Sequence, residues 1–193
     1  MYTVDFDEIQ RLQHEDKWAE LDAIMADAAM RLERAGADIV VLCTNTMHLC
    51  EEAIRSSISI PFLHIAEATG QAIVEKGVSK VALLGARFTM EKDFYKKTLL
   101  EKFAIETVIP NQQEREAIQS IIYNEFVQGE VKDELRTRFV NIINLLEAER
   151  AQGVILGYTE IPLLISGNDV DIPVFDTTTI HAQKAVEWAL NAN

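Results

Sequence analysis

Two blocks of this sequence occur twice, in the same order, in different halves of the chain. Asp38–Asn45 (DIVVLCTN) is similar to Gly153–Glu160 (GVILGYTE), and each block is an apolar strand candidate that ends in a threonine-containing turn. A second pair follows, SIPFLHIAEAT from Ser59 and DIPVFDTTTIH from Asp171. The offsets, 153 − 38 = 115 and 171 − 59 = 112, differ by three residues, which a helix or loop can absorb. The repeat predicts two halves of similar topology, facing each other about a pseudo-twofold axis.

Short apolar runs alternate with amphipathic helical patterns along the whole chain. Several of these runs are apolar almost throughout, as strands that are buried on both faces must be. The alternation predicts an α/β fold of mostly parallel sheets flanked by helices. The predicted strands are Met1–Val4, Asp38–Leu42, Pro61–His64, Lys80–Gly85, Ile105–Ile109, Val154–Gly157 and Pro173–Asp176. The predicted helices are Lys17–Ala35, Thr46–Ser56, Glu67–Lys76, Glu91–Phe103, Gln113–Val127, Lys132–Gln152 and Thr178–Ala192.

The first half lacks a counterpart to the start of the second half. The second half opens with VSKVALLGARFTM, a strand, turn and helix that precede the strand at Ile105. We therefore expect a first lobe of residues 1–65 with 178–193, without its opening strand and helix, and a second lobe of residues 66–177. Either the chain begins late, at an internal methionine, or another pairing replaces the missing strand. We favour the first alternative.

Composition and charge exclude several classes of protein. With 193 residues and 48% hydrophobic content, the chain is long enough to bury a core. Its formal net charge is −13 and no cluster of basic residues stands out, so we expect no nucleic-acid partner. No apolar run approaches the roughly 20 residues that cross a bilayer, and the start, MYTVDFDEIQ, lacks the basic and hydrophobic regions of a secretory signal. We expect a cytoplasmic protein with no membrane partner.

A cysteine and three polar residues follow the first repeated strand. In doubly wound sheets ligands bind beyond the carboxyl ends of the strands, where the segment Cys43–Thr46 lies, at the entrance to a predicted helix. Backbone N–H groups at a helix start attract anions and can lower the pKa of a thiol. The segment is therefore either a carboxylate cradle beside a reactive sulfur, or a buried cysteine followed by an ordinary helix cap. Because the sequence shows no secretory signal, we expect no structural disulfide between Cys43 and Cys50, and their spacing does not match a zinc motif.

The second copy of the repeat places Tyr158-Thr159-Glu160 at the equivalent strand end. If the two halves face each other, Cys43 and Tyr158 lie on opposite sides of a shared cleft. Such an arrangement suits a reaction that needs one proton donor and one proton acceptor on opposite sides of a carbon.

Four motifs, VLCTNTMH, LLGARFTM, GVILGYTEIPLLI and DTTTIHA, resemble successive motifs of the aspartate/glutamate racemase family and cover nearly the whole chain in the family's order. The resemblance implies two pseudo-symmetric α/β lobes with the active site between them, and a homodimer. It implies deprotonation of the α-carbon of an amino acid, such as aspartate or glutamate, without pyridoxal phosphate, any other cofactor or a metal. The family uses two cysteines, one per lobe, as alternating acid and base, and the first matches Cys43. The resemblance further implies these substrate-contacting residues: Thr44, Asn45, Thr46 and Thr159, with Thr89, Glu160 and His181 as additional candidates.

The sequence departs from this family at the second cysteine. The family's second motif reads Gly-Cys-Thr-Glu, whereas this chain has Gly157-Tyr158-Thr159-Glu160. The unperturbed pKa values of cysteine and tyrosine differ by about 1.5, which corresponds to about 2 kcal/mol. Size is the larger change, because a phenol replaces a thiol in a pocket for a small amino acid. Tyr158 therefore either acts as the second acid/base residue or fills the substrate cavity.

Two functions from different classes remain open. The first is a cofactor-independent amino-acid racemase, impaired by Tyr158 and by the absence of the family's opening glycine-rich strand. The second is a catalytically inactive relative that binds an acidic amino acid or a protein partner. A decarboxylase of the same superfamily is disfavoured, because the one-cysteine decarboxylases keep the second cysteine rather than the first.

Overall fold

A computed structural model describes residues 1–191 and divides them into two compact units. The first unit contains Met1–Cys43 and Met47–His64, and the second contains Thr44–Thr46 and the chain from Ile65 onward. The three residues Thr44–Thr46 thus pack with the second unit, although the chain on both sides of them belongs to the first. In the described part of the chain, no helix is both long and apolar enough to cross a membrane.

The first unit is a small two-stranded parallel sheet covered by helices. Strands β1 (Val40–Val41) and β2 (Phe62–Leu63) pair with Val40 opposite Phe62. The helices are α1 (Phe6–His14), α2 (Trp18–Arg34) and α3 (Glu51–Ser57), and a 3-10 helix, Thr46–Cys50, leads into α3. Their apolar faces meet in a core that includes these buried residues: Leu12, Leu21, Met25, Val40, Cys50, Ile54 and Phe62.

The predicted strand Met1–Val4 is wrong. Met1–Asp5 has no regular structure, and the helix α1 begins at Phe6. The side chain of Asp5 accepts a hydrogen bond of 3.0 Å from the backbone N–H of Asp7, which satisfies a donor at the helix start. Ile9 and Leu12 follow at helical spacing and are buried. A cap and an apolar helical face therefore override the short apolar start of the chain.

The second unit is built on a four-stranded parallel sheet with the strand order β4-β3-β5-β6. The strands are β3 (Lys80–Gly85), β4 (Glu106–Val108), β5 (Val154–Gly157) and β6 (Val174–Asp176). The helices are α4 (Ile65–Glu75), α5 (Arg87–Glu91), α6 (Asp93–Phe103), α7 (Gln112–Asn124), α8 (Asp133–Ala148), α9 (Ile161–Leu164) and α10 (Thr177–Asn191), with a 3-10 turn at Phe126–Gln128.

Helices cover both faces of this sheet. Along β3, Val81 and Leu83 pack with residues of α4 and α6, whereas Ala82 and Leu84 pack with residues of α7 and α8. All four side chains are fully buried. The near-continuous apolar runs of β3 and β5 are thus explained by burial on both sides, and the predicted α/β class is confirmed.

Both copies of the sequence repeat form a pair of parallel strands. The N–H of Val40 donates to the carbonyl of Pro61 at 2.9 Å, and the N–H of Val154 donates to the carbonyl of Pro173 at 2.8 Å. The prolines are 173 − 61 = 112 residues apart, as in the repeat, but the paired valines are 154 − 40 = 114 apart rather than 115. Between its paired valine and its threonine, the second copy is therefore one residue longer than the first.

The last helix differs from the predicted lobe boundaries. The helix α10 packs on α4 and on the strands β5 and β6, so by its contacts it is part of the second unit. The predicted division placed residues 178–193 with residues 1–65. Ile180 explains the difference, because it packs into the core between α4, α6 and the sheet. The predicted assignments of Ala192 and Asn193 lie outside the described residues.

Candidate functional site

The carboxyl ends of the two central strands of the second unit approach each other closely at a pair of glycines. Gly85 ends β3 and Gly157 ends β5, and the two are paired in register. A Cβ atom on Gly85 would lie 2.7 Å from the carbonyl oxygen of Gly157, and one on Gly157 would lie 3.0 Å from the carbonyl oxygen of Leu84. Either Cβ atom would also lie 3.3 Å from the Thr89 side chain. Glycine at both positions therefore lets the two strands and α5 meet at this edge.

The segment Thr44–Thr46 is fixed at the same edge by two side-chain hydrogen bonds. The Nδ2 atom of Asn45 donates to Oγ1 of Thr177 at 3.1 Å, and the hydroxyls of Thr46 and Thr89 are 3.0 Å apart. All four side chains are buried. The structure thus brings together three residues predicted for the site, Asn45, Thr46 and Thr89, and adds Thr177. Thr44 is half-buried beside them in the chain.

The Thr177 hydroxyl determines which way the Asn45 carboxamide points. That hydroxyl donates to the backbone carbonyl of Leu156 at 2.9 Å, and a carbonyl can only accept. Its single proton is then used, so its oxygen must accept from Asn45, which requires Nδ2 rather than Oδ1 on that side. Within residues 1–191, no donor reaches the Oδ1 atom of Asn45, although the side chain is only 3% exposed. Asn45 therefore presents a buried, unused hydrogen-bond acceptor.

Local structure also fixes Thr177 itself. It begins α10 directly after β6, and Asp176 accepts hydrogen bonds from the backbone N–H groups of Thr178 and Thr179 at 2.9 and 3.2 Å. The register pairs Asp176 with Leu156, so the next side chain along the chain reaches the Leu156 carbonyl. A helix cap and a strand pair together hold the Thr177 hydroxyl in place.

Cys43 precedes this segment and ends the first stretch of the first unit. Its side chain is exposed and unpaired with another cysteine, and its Sγ atom lies 3.8 Å from the carbonyl oxygen of Val41. Cys50, in contrast, is a core residue as predicted: burial, followed by a contact with Asp22, raises the pKa of its thiol. Of the two thiols, only Cys43 is accessible to a ligand.

The segment Tyr158–Glu160 is organised differently. The Tyr158 ring is half-buried against the core that contains α7 and α8. Burial, followed by the proximity of Glu160 and Tyr123, raises the pKa of the Tyr158 phenol. The exposed hydroxyl of Thr159 donates to the carboxylate of Glu160. At neutral pH the phenol is therefore protonated, and the two neighbouring polar side chains are bonded to each other.

His181 lies one helical turn after Thr177 on α10, so both residues occupy the same helix face. It is 4% exposed. The predicted candidate is thus buried on the helix that begins at the site.

Sequence reasoning missed Thr177, Gly85 and a histidine cluster in the first unit. The signal for Thr177 was present in the second repeated block, where DTTTIH follows Ile-Pro at a strand end. In the cluster, the rings of His48 and His64 are 4.6 Å apart, and Nε2 of His64 lies 3.2 Å from Oε2 of Glu51. His48 and His64 lie in different segments of the sequence, so no local pattern indicates that their rings will lie close together.

Comparison with known proteins identifies the family. The profile of the family described as Asp/Glu/Hydantoin racemase matches residues 1–185. A crystal structure of a Yersinia pestis protein assigned as an Asp/Glu racemase is 44% identical and has a TM-score of 0.90, over 98% of this chain and 82% of that one. An aspartate racemase homologue from Pyrococcus horikoshii OT3 is 39% identical, with a TM-score of 0.84 over 97% and 81% of the two chains.

A curated relative gives the same result. The broad specificity amino-acid racemase RacX of Bacillus subtilis (strain 168) is 26% identical over 175 residues, which are 89% of this chain and 73% of RacX. These likenesses extend over nearly all of the described fold, including both repeated blocks. The chain belongs to the Asp/Glu/hydantoin racemase family.

Proposed function

We propose that this protein is a cofactor-independent amino-acid racemase of the aspartate/glutamate type, in which Cys43 removes the Cα proton and the change at Tyr158 slows inversion. The observation that carries the proposal is the anchored segment after Cys43. Two buried hydroxyls hold its side chains, and Asn45 offers a buried acceptor. A helix cap without a ligand needs neither feature.

An anionic amino acid needs local donors, because the net charge of −13 repels it. Thr44–Thr46 leads into a helical segment, where backbone N–H groups favour a carboxylate. The hydroxyls of Thr46 and Thr89 share one hydrogen bond, so one of their two protons stays available for a ligand. The segment thus supplies donors to a carboxylate and an acceptor to an amine.

Cys43 and Tyr158 differ in what they can do to a Cα proton. Cysteine can act as a base because its thiolate form, about a few per cent of a free thiol at pH 7, accepts a proton. The thiol of Cys43 is accessible to a ligand, and in its thiolate form it can remove the proton. The Tyr158 phenol has a pKa raised by burial, so it can donate a proton but is almost never a phenolate that accepts one.

This difference has a kinetic consequence. After Cys43 removes the proton, the carbanion recovers a proton from the thiol, which retains the configuration, or from Tyr158, which inverts it. Inversion in the other direction requires the scarce phenolate. Because racemisation has an equilibrium constant of one, inversion is slow in both directions, whereas exchange with retention depends on Cys43 alone.

The test is deuterium incorporation at Cα of aspartate and glutamate in heavy water, followed by proton NMR. We expect exchange that requires no added cofactor. A complete absence of exchange for both amino acids at high enzyme concentration rejects a working base at Cys43.

The position of Tyr158 favours a second candidate function. Its ring is half-buried against the core, and its neighbours Thr159 and Glu160 are bonded to each other. This geometry suits a protein that binds an acidic amino acid without turning it over. Calorimetry with D- and L-aspartate distinguishes the two, since binding without any exchange supports the inactive relative. The predicted homodimer is a separate matter that sedimentation velocity tests.

A further inference from the structure

The hydroxyl of Thr177 lies between the Asn45 side chain and the backbone carbonyl of Leu156. Thr177 is fully buried, and both of its hydrogen-bond partners are known: it donates to the Leu156 carbonyl and accepts from Asn45. If donor and acceptor were exchanged in either hydrogen bond, a buried polar group would be left unpaired, which costs free energy. The direction of this short chain of hydrogen bonds is therefore fixed.

The fixed direction determines the chemistry of the free side of Asn45. An asparagine side chain can present either an oxygen or an NH2 group to a ligand, and the two ends are nearly equal in size. Here the oxygen is the end that points away from Thr177, and within residues 1–191 it has no donor. A carboxylate cannot satisfy it, since a carboxylate only accepts. An ammonium group can, through a charge-assisted hydrogen bond.

We propose that Thr177 is a positioning residue, which holds the Asn45 carboxamide so that Oδ1 receives the protonated amino group of the ligand. The proposal rests on the proposed function in one respect: it assumes that the ligand binds at the segment Thr44–Thr46. It adds that the site selects ligands with an amine and that this selection depends on a hydroxyl 132 residues away in sequence.

The substitution Thr177→Val removes both hydrogen bonds of the Thr177 hydroxyl and changes the shape of the side chain little. Valine has the branching of threonine but no hydroxyl, so Nδ2 of Asn45 loses its acceptor and the carboxamide is free to turn over. Either end of the amide can then meet the ligand, and an NH2 end repels an ammonium group. Serine at this position keeps the hydroxyl and both hydrogen bonds.

The experiment is calorimetry of wild type, Thr177→Val, Thr177→Ser and Thr178→Val with two pairs of ligands. Each pair contrasts an amino acid with its amine-free counterpart: aspartate with succinate, and glutamate with glutarate, both enantiomers of each amino acid being used. Thr178→Val is the matched control, since Thr178 is exposed at the next position of the same helix. Circular dichroism melting checks that each variant is folded.

We expect wild type to bind the better amino acid about 10-fold to 100-fold more tightly than its amine-free counterpart, as one charge-assisted hydrogen bond allows. Thr177→Val should lose most of this ratio, and Thr177→Ser and Thr178→Val should keep it. A merely structural role for Thr177 lowers the affinity for both ligands equally and leaves the ratio unchanged.

Three results overturn the proposal: an unchanged ratio in folded Thr177→Val, a ratio lost in Thr177→Ser, or a wild-type ratio below about 10-fold. The wild-type ratio tests the proposal even if the Thr177→Val variant does not fold. Binding and turnover separate this inference from the proposed function, because a normal ratio together with no deuterium exchange rejects the catalytic role of Cys43 alone.

Discussion

The two repeated strand ends of this protein carry segments of opposite character. Thr44–Thr46, after Cys43, is short, mostly buried and bonded to hydroxyls of two separate helices, Thr89 on α5 and Thr177 on α10. Tyr158–Glu160 has a half-buried ring, an exposed threonine and a carboxylate bonded to that threonine. The side chains of the first segment are hydrogen-bonded to two helices, whereas the side-chain hydrogen bond of the second lies within the segment and its ring packs against the core.

This contrast shows which of the two segments the fold preorganises. Side chains that are locked by packing and by neighbouring hydrogen bonds keep a geometry suited to a ligand. The first segment has such support and leaves one buried acceptor unused. In the second segment, the position that resembles the family's second cysteine carries a large, protonated phenol. We therefore propose that the first segment binds the ligand and removes the proton, and that the second delivers a proton slowly.

Removal of the thiol should have the largest effect. Cys43→Ala is expected to lower the rate of Cα exchange by about 100-fold or more, the usual contribution of a general base. Its affinity for the amino acid should stay within a few fold, because Asn45 and Thr46 are unchanged. Proton NMR in heavy water measures the rate. Cys50→Ala is the control: this cysteine is buried in the core, so the variant should exchange normally with slightly lower stability. Equal exchange by wild type and Cys43→Ala contradicts the assignment.

Introduction of a thiol at position 158 should have the next largest effect. Tyr158→Cys is expected to raise the ratio of inversion to exchange by about 10-fold or more, since a thiol titrates closer to neutral pH than this phenol. Chiral chromatography measures inversion and NMR measures exchange. Tyr158→Phe is the paired control, which should abolish inversion and keep exchange. A rise in inversion with phenylalanine would show that Tyr158 only obstructs the site.

The close approach of Gly85 and Gly157, at the ends of β3 and β5, can be tested by measuring stability. Gly85→Ala places a Cβ atom 2.7 Å from a backbone oxygen, which cannot move as a flexible side chain does. We expect the free energy of unfolding to fall by about 2 kcal/mol, as in other overpacked cores. Urea denaturation gives the value. Gly167→Ala is the control, since a Cβ there meets nothing within 4 Å. Equal stability of the two variants contradicts the close approach of β3 and β5.

The smallest effect concerns Glu51, in the helix that follows the first segment. A hydrogen bond from His64, aided by the charge of His64 and by Arg55, lowers the pKa of Glu51 from 4.5 to about 2 against the opposing effect of burial. A depressed carboxyl pKa stabilises the fold above the unfolded value and loses that contribution as pH falls towards 2. Glu51→Gln should thus lower the free energy of unfolding by about 1 kcal/mol at pH 7. This is less than the full pKa shift would give, because solvent screens the partly exposed carboxylate.

The stability difference between wild type and Glu51→Gln should narrow between pH 4.5 and pH 2 in urea titrations. Glu52→Gln, an exposed neighbour on the same helix, is the control and should show no such trend. A difference that is constant with pH contradicts the lowered pKa.

The sequence predicted much of the fold, and for physical reasons. Strands β3 and β5 were predicted with their observed bounds, because burial on both faces leaves a continuous apolar run. The start of the chain was predicted incorrectly, because four residues carry too little pattern to outweigh a cap and a helical face. The repeat predicted two halves of similar topology, and each copy forms a parallel strand pair, but the one-residue difference between the copies was not predicted.

Only those features of the candidate site that depend on neighbouring residues in the sequence could be predicted. Cys43–Thr46 was predicted as a candidate site because it follows a predicted strand and precedes a predicted helix. The direction of the Asn45 amide was not, since it depends on Thr177, which is 132 residues away, and on a carbonyl of a third segment. Contacts of this kind arise from the folded chain and have no periodicity to reveal them.

The most direct measurement compares Cα exchange of the two enantiomers of the preferred amino acid in heavy water, each studied separately before inversion has progressed. A base at Cys43 and a protonated phenol at Tyr158 predict that one enantiomer exchanges with retention at least about 10-fold faster than the other. Equal exchange of both enantiomers would show two working bases, and no exchange of either would show none. Both results contradict the proposed division of roles.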